Sequence, residues 1–138
     1  RWAELLPRTP PPADDDQIRR DLARTLPEHR LFRDRAGAGQ QQLYLVLKAF
    51  ALHEPRVGYC QGMGFVAALL LIYLDAEDAF WLLCRLCDDQ SPARYGLAGL
   101  FRSGMPELPL RLDSLQRLMD AHVPRVAAHL RQLNIELS

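Results

Sequence analysis

Apolar positions recur along this chain at helical spacing, and proline, glycine and aspartate punctuate the repeats. Leu43, Leu47, Phe50 and Ala51 fall at i, i+4, i+7 and i+8, which predicts a helix over about 40–53 with a core-facing stripe, closed by Pro55. The run from Met63 to Leu74 is almost wholly apolar, so it is expected to form a helix buried on nearly all sides. Asp75, with Asp78 three residues on, reads as the N-cap of the next helix, whose Phe80, Leu83, Cys84 and Cys87 follow at i, i+3, i+4 and i+7.

Ahead of these, Ile18 and Leu22 support a short, lightly buried helix over about 15–25, started by Asp14, Asp15 and Asp16 and stopped by Leu26-Pro27. Residues 1–13, with Pro7, Pro10, Pro11 and Pro12, are expected to be a proline-rich, extended lead-in to a domain covering 14–138. Residues 33–39 read as a flexible loop, 56–62 as a glycine-bracketed turn, and 89–109 as irregular. A final helical region over about 110–133, with Leu112, Leu115, Leu118, Met119, Val126 and Leu130 as apolar positions, should bend or break near Pro124. Alternating β-branched segments are nearly absent, so the fold class is all-α, an irregular multi-helix array.

Composition narrows the function. With 138 residues, the chain is long enough for a core without disulfide or metal staples. Lys+Arg and Asp+Glu both number 17, so no general cationic surplus exists to neutralise a phosphate backbone, and nucleic acid is not an expected partner. Three cysteines argue against a secreted disulfide framework and for a reducing, cytoplasmic setting. No signal-peptide pattern is visible, and the apolar run at 63–74 is short for a membrane span; direct membrane insertion is not expected.

Candidate chemistry is sparse. Cys84 and Cys87 form a C-x-x-C, but a second ligand pair is missing, and both fall on an apolar helix face where cysteine packs as a small hydrophobe. His29, His53, His122 and His129 are scattered and fit no metal or triad pattern. Gly58 to Gly64 is glycine-rich before a helix, yet it lacks the Lys-Ser/Thr and preceding strand of a phosphate-binding loop. Its glycines would let the backbone turn sharply and present Gln61 outward. Arg24 alone reads as a solvated charge, with Asp21 three residues earlier placed to pair with it on a helix.

Taken together, these segments resemble the TBC domain of Rab GTPase-activating proteins. Ile18-Arg-Arg-Asp21-Leu-Ala-Arg24 resembles the family's I-x-x-D-x-x-R motif, followed by Thr25-Leu26-Pro27 and His29. Tyr59-Cys60-Gln61 resembles its Y-x-Q motif. Asp78-Ala-Phe80-Trp81, and Gly104-Met-Pro106 leading to Leu115, Leu118 and Pro124, extend the similarity over about 15–133. The resemblance implies an arginine finger at Arg24 and a glutamine finger at Gln61, offered in trans to a GTP-bound Rab-family GTPase. Asp21 would orient Arg24 and Tyr59 would buttress the turn bearing Gln61. Ile18, Gly62 and Met63 would be partner contacts. No cofactor belongs to the chain itself, because GTP and magnesium would reside in the partner. The protein would be cytoplasmic, recruited peripherally to membranes through partners. The family's domain is longer, so the chain looks like one truncated at its C-terminal end, with apolar faces left exposed. The alternative is a non-catalytic GTPase-binding or protein-interaction module.

Overall fold

The computed structural model describes residues 2–88 and 96–135. Among the described residues there are eight helices and no strand. These are α1 (Trp2–Leu5), α2 (Pro12–Leu22), α3 (Ala38–His53), α4 (Met63–Tyr73), α5 (Ala76–Leu86), α6 (Ala98–Phe101), α7 (Leu108–His122) and α8 (Pro124–Gln132). The all-α irregular array expected from the sequence is therefore the fold observed.

Helix α3 is the hub. It packs against α1, α2, α4 and α5, which is why its buried set is wider than the predicted stripe and adds Val46, Ala49, Gln40 and Lys48 to Leu43, Leu47, Phe50 and Ala51. Phe50 and Phe80 are among the largest fully buried side chains. Burial of such residues is the main favourable term holding the helices together. Helix α5 starts as predicted, with Asp75 Oδ1 accepting the Asp78 backbone N–H at 2.9 Å.

The polar anchors of this core were not evident in the residue pattern. Gln40, buried at the start of α3, donates both hydrogens of Nε2, one to the Leu22 carbonyl at 3.1 Å and one to the Phe32 carbonyl at 2.7 Å. It thereby ties the end of α2 and the following loop to α3. Lys48 Nζ donates to the Leu6 carbonyl at 2.7 Å.

Four expectations are corrected. The lead-in is not extended throughout: Trp2 to Leu5 form a helical turn whose Trp2 ring lies 5.1 Å from that of Phe80, because the core offers these apolar side chains a burial site. Helix α2 begins at Pro12 rather than near residue 15, since proline's fixed φ suits the first helical position; the aspartates follow it without a side-chain cap. Helix α4 is not buried nearly all round: Phe65, Leu69 and Tyr73, one turn apart, are 51%, 54% and 79% exposed. Its buried side consists of Met63, Gly64, Ala67, Ala68 and Leu71, among which the small Gly64, Ala67 and Ala68 allow close approach to α2, α3 and α5. Within the region expected to be irregular, residues 98–101 form the short α6, with Ala98 buried, while residues 89–95 lie outside the described residues.

The last helical region does break before Pro124, at Val123. Helix α7 buries none of its residues, and Leu110, Leu115 and Leu118 stand exposed. No helix among the described residues is long and apolar enough to cross a membrane.

Truncating the hub should be costly. Phe50→Ala is expected to lower unfolding free energy by roughly 3–5 kcal/mol. Gln40→Met, which removes the side-chain donor to the Phe32 carbonyl and leaves the Leu22 carbonyl only the Thr25 N–H, should cost about 1–3 kcal/mol. Denaturant midpoints check both, against Arg117→Ala at an exposed ion pair, which should shift stability by less than about 0.5 kcal/mol.

Candidate functional site

Two segments distant in sequence meet at the end of α2. The first is the last turn of α2 with the residues just beyond it. Here the chain leaves the helix by tight turns in which the Arg24 and Thr25 backbone N–H groups donate to the carbonyls of Asp21 and Leu22. Thr25, itself buried, donates its hydroxyl to the Asp21 carbonyl at 2.8 Å, a competing local bond that helps end the helix. Leu26, at φ 45°, then turns the chain away ahead of Pro27. The second segment is the turn over 58–62. Gly62 caps α4 at φ 100°, a backbone conformation that disfavours any side chain.

The Asp21 carboxylate joins the two. Its side chain is 4% exposed, whereas that of Arg24 is 50% exposed. Arg24 Nη2 lies 2.6 Å from Asp21 Oδ1. The same oxygen accepts Gln17 Nε2–H at 3.0 Å. Asp21 Oδ2 accepts the Tyr59 hydroxyl at 2.9 Å. The buried charge is thus met by one cation and two neutral donors, as burial of a carboxylate requires. Tyr59 is mostly buried, and burial, then the hydrogen bond to Asp21, pushes its phenol well above the ordinary value, so it stays a neutral donor. Where the segments touch, Gly64 approaches closely: a Cβ there would lie 2.9 Å from Thr25 Oγ1.

Between them lies a cavity of about 190 Å³, whose lining includes Asp21, Arg24, Thr25, Tyr59, Gln61 and Phe65. Gln61 is exposed and follows Cys60, whose thiol donates to the Gln61 carbonyl at 3.6 Å and is pushed up by burial, then by the Asp21 charge. The cavity therefore carries one half-exposed guanidinium and one exposed carboxamide. Of the guanidinium's five N–H donors, the ion pair engages one terminal nitrogen. This arrangement is suited to completing charge and hydrogen bonding on a group presented from outside.

Five sequence-predicted residues, Asp21, Arg24, Tyr59, Gln61 and Gly62, line this one cavity. Ile18 and Met63, expected as partner contacts, do not: both are 0% exposed and belong to the core, where the apolar faces of α2 and α4 turn inward. Gln17, Thr25 and Gln40 were missed. The first two sit four residues on either side of Asp21, a spacing that could have flagged them; nothing in the sequence links Gln40 to Leu22.

The cysteine pair sits in the core around α5. Cys84 and Cys87 are buried and not joined in a disulfide, and burial, with Glu54 and Cys87 nearby, raises the Cys84 thiol to about 12. Among the described residues, no group of three or more His, Cys, Asp or Glu is placed to hold a metal. His29 Nδ1 accepts the Leu31 N–H, and the His53 ring packs edge-on against Phe80 and Trp81.

Fold and site define a class: a module, all-helical among the described residues, that shows at one cavity an arginine held from behind by a buried carboxylate and an exposed glutamine. The chain matches the model of the Rab-GTPase-TBC domain over residues 4–138. It is 36% identical over 138 residues to the human ecotropic viral integration site 5 protein homolog, covering 100% of this chain and 16% of the relative. It is 37% identical over 126 residues to Rab GTPase-activating protein tbc-11 of Caenorhabditis elegans, covering 91% and 13%. Identity to mouse Carabin is 40% over 120 residues, covering 87% and 26%. The chain belongs to the Rab-GTPase-TBC domain family, and it spans 26% or less of the length of these three relatives.

The Tyr59 hydroxyl ties stability to alkaline pH. A phenol raised in the folded state contributes stability that is complete below the unfolded value near 10 and lost as pH rises through the folded value. Denaturation of the parent and Tyr59→Phe across pH 7–12 should show a constant gap up to about pH 9.5 that narrows above it.

Proposed function

We propose that this chain accelerates GTP hydrolysis on a Rab-type small GTPase in its GTP-bound form, with Arg24 as an arginine finger and Gln61 as a glutamine finger. One observation carries the reading: Arg24 and Gln61, from separate segments, line the same cavity, with the arginine held at 2.6 Å by a buried carboxylate. Family membership supports it, as does a relative described as a Rab GTPase-activating protein.

A small GTPase hydrolyses GTP slowly by itself, because charge stabilisation and water positioning at the γ-phosphate are incomplete. Arg24 would stabilise negative charge spreading onto the phosphoryl oxygens, and its planar fork, always charged, suits that task better than lysine. Gln61 would orient the attacking water. GTP and magnesium belong to the GTPase in this reading. Asp21 and Tyr59 are positioning residues behind the two fingers. The activity belongs to the cytoplasm, with recruitment to membranes through the partner.

Single-turnover GTP hydrolysis by a panel of Rab GTPases tests this. A supplied arginine gives about 10³ to 10⁵ in rate in other GTPase systems, roughly 4–7 kcal/mol. Arg24→Lys keeps a cation beside Asp21 and should still lose most of the stimulation. Arg24→Ala should lose it too, with a thermal melt recorded because the buried carboxylate then keeps only Gln17 and Tyr59. Gln61→Ala should slow the reaction further toward the intrinsic rate. Full stimulation by both Arg24 variants would sink the assignment, and tight GTPase binding by the parent without stimulation would make this a non-catalytic binding module.

A further inference from the structure

We infer that Gln17 is a positioning residue for Arg24, an assignment that rests on the finger reading above. Gln17 lies one helical turn before Asp21 on α2, and its Nε2–H donates at 3.0 Å to Asp21 Oδ1, the oxygen that Arg24 Nη2 holds at 2.6 Å. Tyr59 occupies Oδ2 at 2.9 Å. Tyr59 approaches from the turn before α4 and Gln17 from within α2, so the carboxylate is held at both oxygens and cannot swivel. The direction of the guanidinium follows from that.

The Gln17 amide is itself oriented. Arg20 Nη2 donates to Gln17 Oε1 at 3.2 Å, and Arg20 Nε donates to the Asp16 carbonyl at 3.2 Å. With its carbonyl on Arg20, the amide presents its NH₂ to Asp21; the flipped amide would set oxygen against carboxylate and NH₂ against guanidinium. A relay therefore runs from Arg20 through Gln17 to Asp21 and Arg24. It has a second consequence. When the guanidinium engages a phosphate, Asp21 keeps two donors and never becomes a bare buried charge. Loss of this part-buried bond to a buried carboxylate lowers stability to a modest extent, whereas a displacement of about 1 Å in a catalytic group can cost ~10² in rate.

The experiment uses the Rab GTPase that the parent chain stimulates. Gln17→Met preserves length and removes the donor. The limiting single-turnover rate is expected to fall about tenfold, with the half-saturating concentration unchanged and a melting temperature lowered by a few degrees that still leaves the chain folded at the assay temperature. Gln17→Glu places a second carboxylate against Asp21, near Arg20, Arg24 and Tyr59. Two carboxylates so close disfavour double ionisation. Its rate relative to the parent should be lowest at pH 8 and recover toward pH 5.5, where a shared proton restores a donor. A thermal melt of the variant over the same pH range separates this from a structural role, which would make the rate follow the folded fraction. A third readout needs no GTPase: the Arg24 guanidinium N–H signals in NMR should be resolved in the parent and averaged in Gln17→Met. Unchanged rate and unchanged Arg24 signals in Gln17→Met, with Arg24→Lys still inactive, would overturn the role of Gln17 and leave the finger reading standing. A change confined to half-saturation would overturn it as well, by making Gln17 a binding residue. Full activity in Arg24→Lys would instead remove the finger reading.

Discussion

A buried carboxylate on the last turn of α2 organises the polar centre where that helix meets the turn before α4. Asp21 is charged and shielded from water, a state tolerated only when every oxygen has a donor. Its donors come from three places: Gln17 one turn back, Arg24 one turn on, and Tyr59 from the turn before α4. Satisfying one buried charge thus forces two distant segments together. The same requirement puts Arg24 in a defined direction while leaving half of its side chain in solvent. Satisfaction of the buried charge and display of the guanidinium are met by one ion pair.

The packing around that centre makes the meeting possible. Helix α4 turns glycine and alanine toward α2, α3 and α5, so the segments approach closely enough for Tyr59 to reach Asp21. Gly62 lets the chain enter α4 at an angle closed to other residues, which leaves Gln61 exposed beside the cavity. On the far side, Gln40 holds the end of α2 and the loop at Phe32 to the hub helix. The end of α2 that leads into Arg24 is thereby fixed from two directions. A rigid mount of this kind reduces the ordering cost when an external group engages Arg24 and Gln61.

Helical periodicity, N-cap chemistry at Asp75, and the proline and glycine breaks determined the all-α class and the approximate spans of α3, α4 and α5, because these are local signals read within a turn or two. The I-x-x-D-x-x-R and Y-x-Q spacings determined which residues to watch. Sequence spacing alone also placed Asp21 within reach of Arg24. Tertiary structure decided the rest. It buried Trp2 and Leu5 against the core, gave α4 a solvent face at Phe65, Leu69 and Tyr73, and left α7 without a buried residue. It moved Ile18 and Met63 from expected contacts into the interior. It brought Tyr59 to the second oxygen of Asp21 and Gln40 to two carbonyls remote in the chain. Those outcomes depend on which helix faces which, and a residue's burial is set by its neighbours in space. Local pattern specifies that a helix has an apolar side, and only the packed array decides what that side meets.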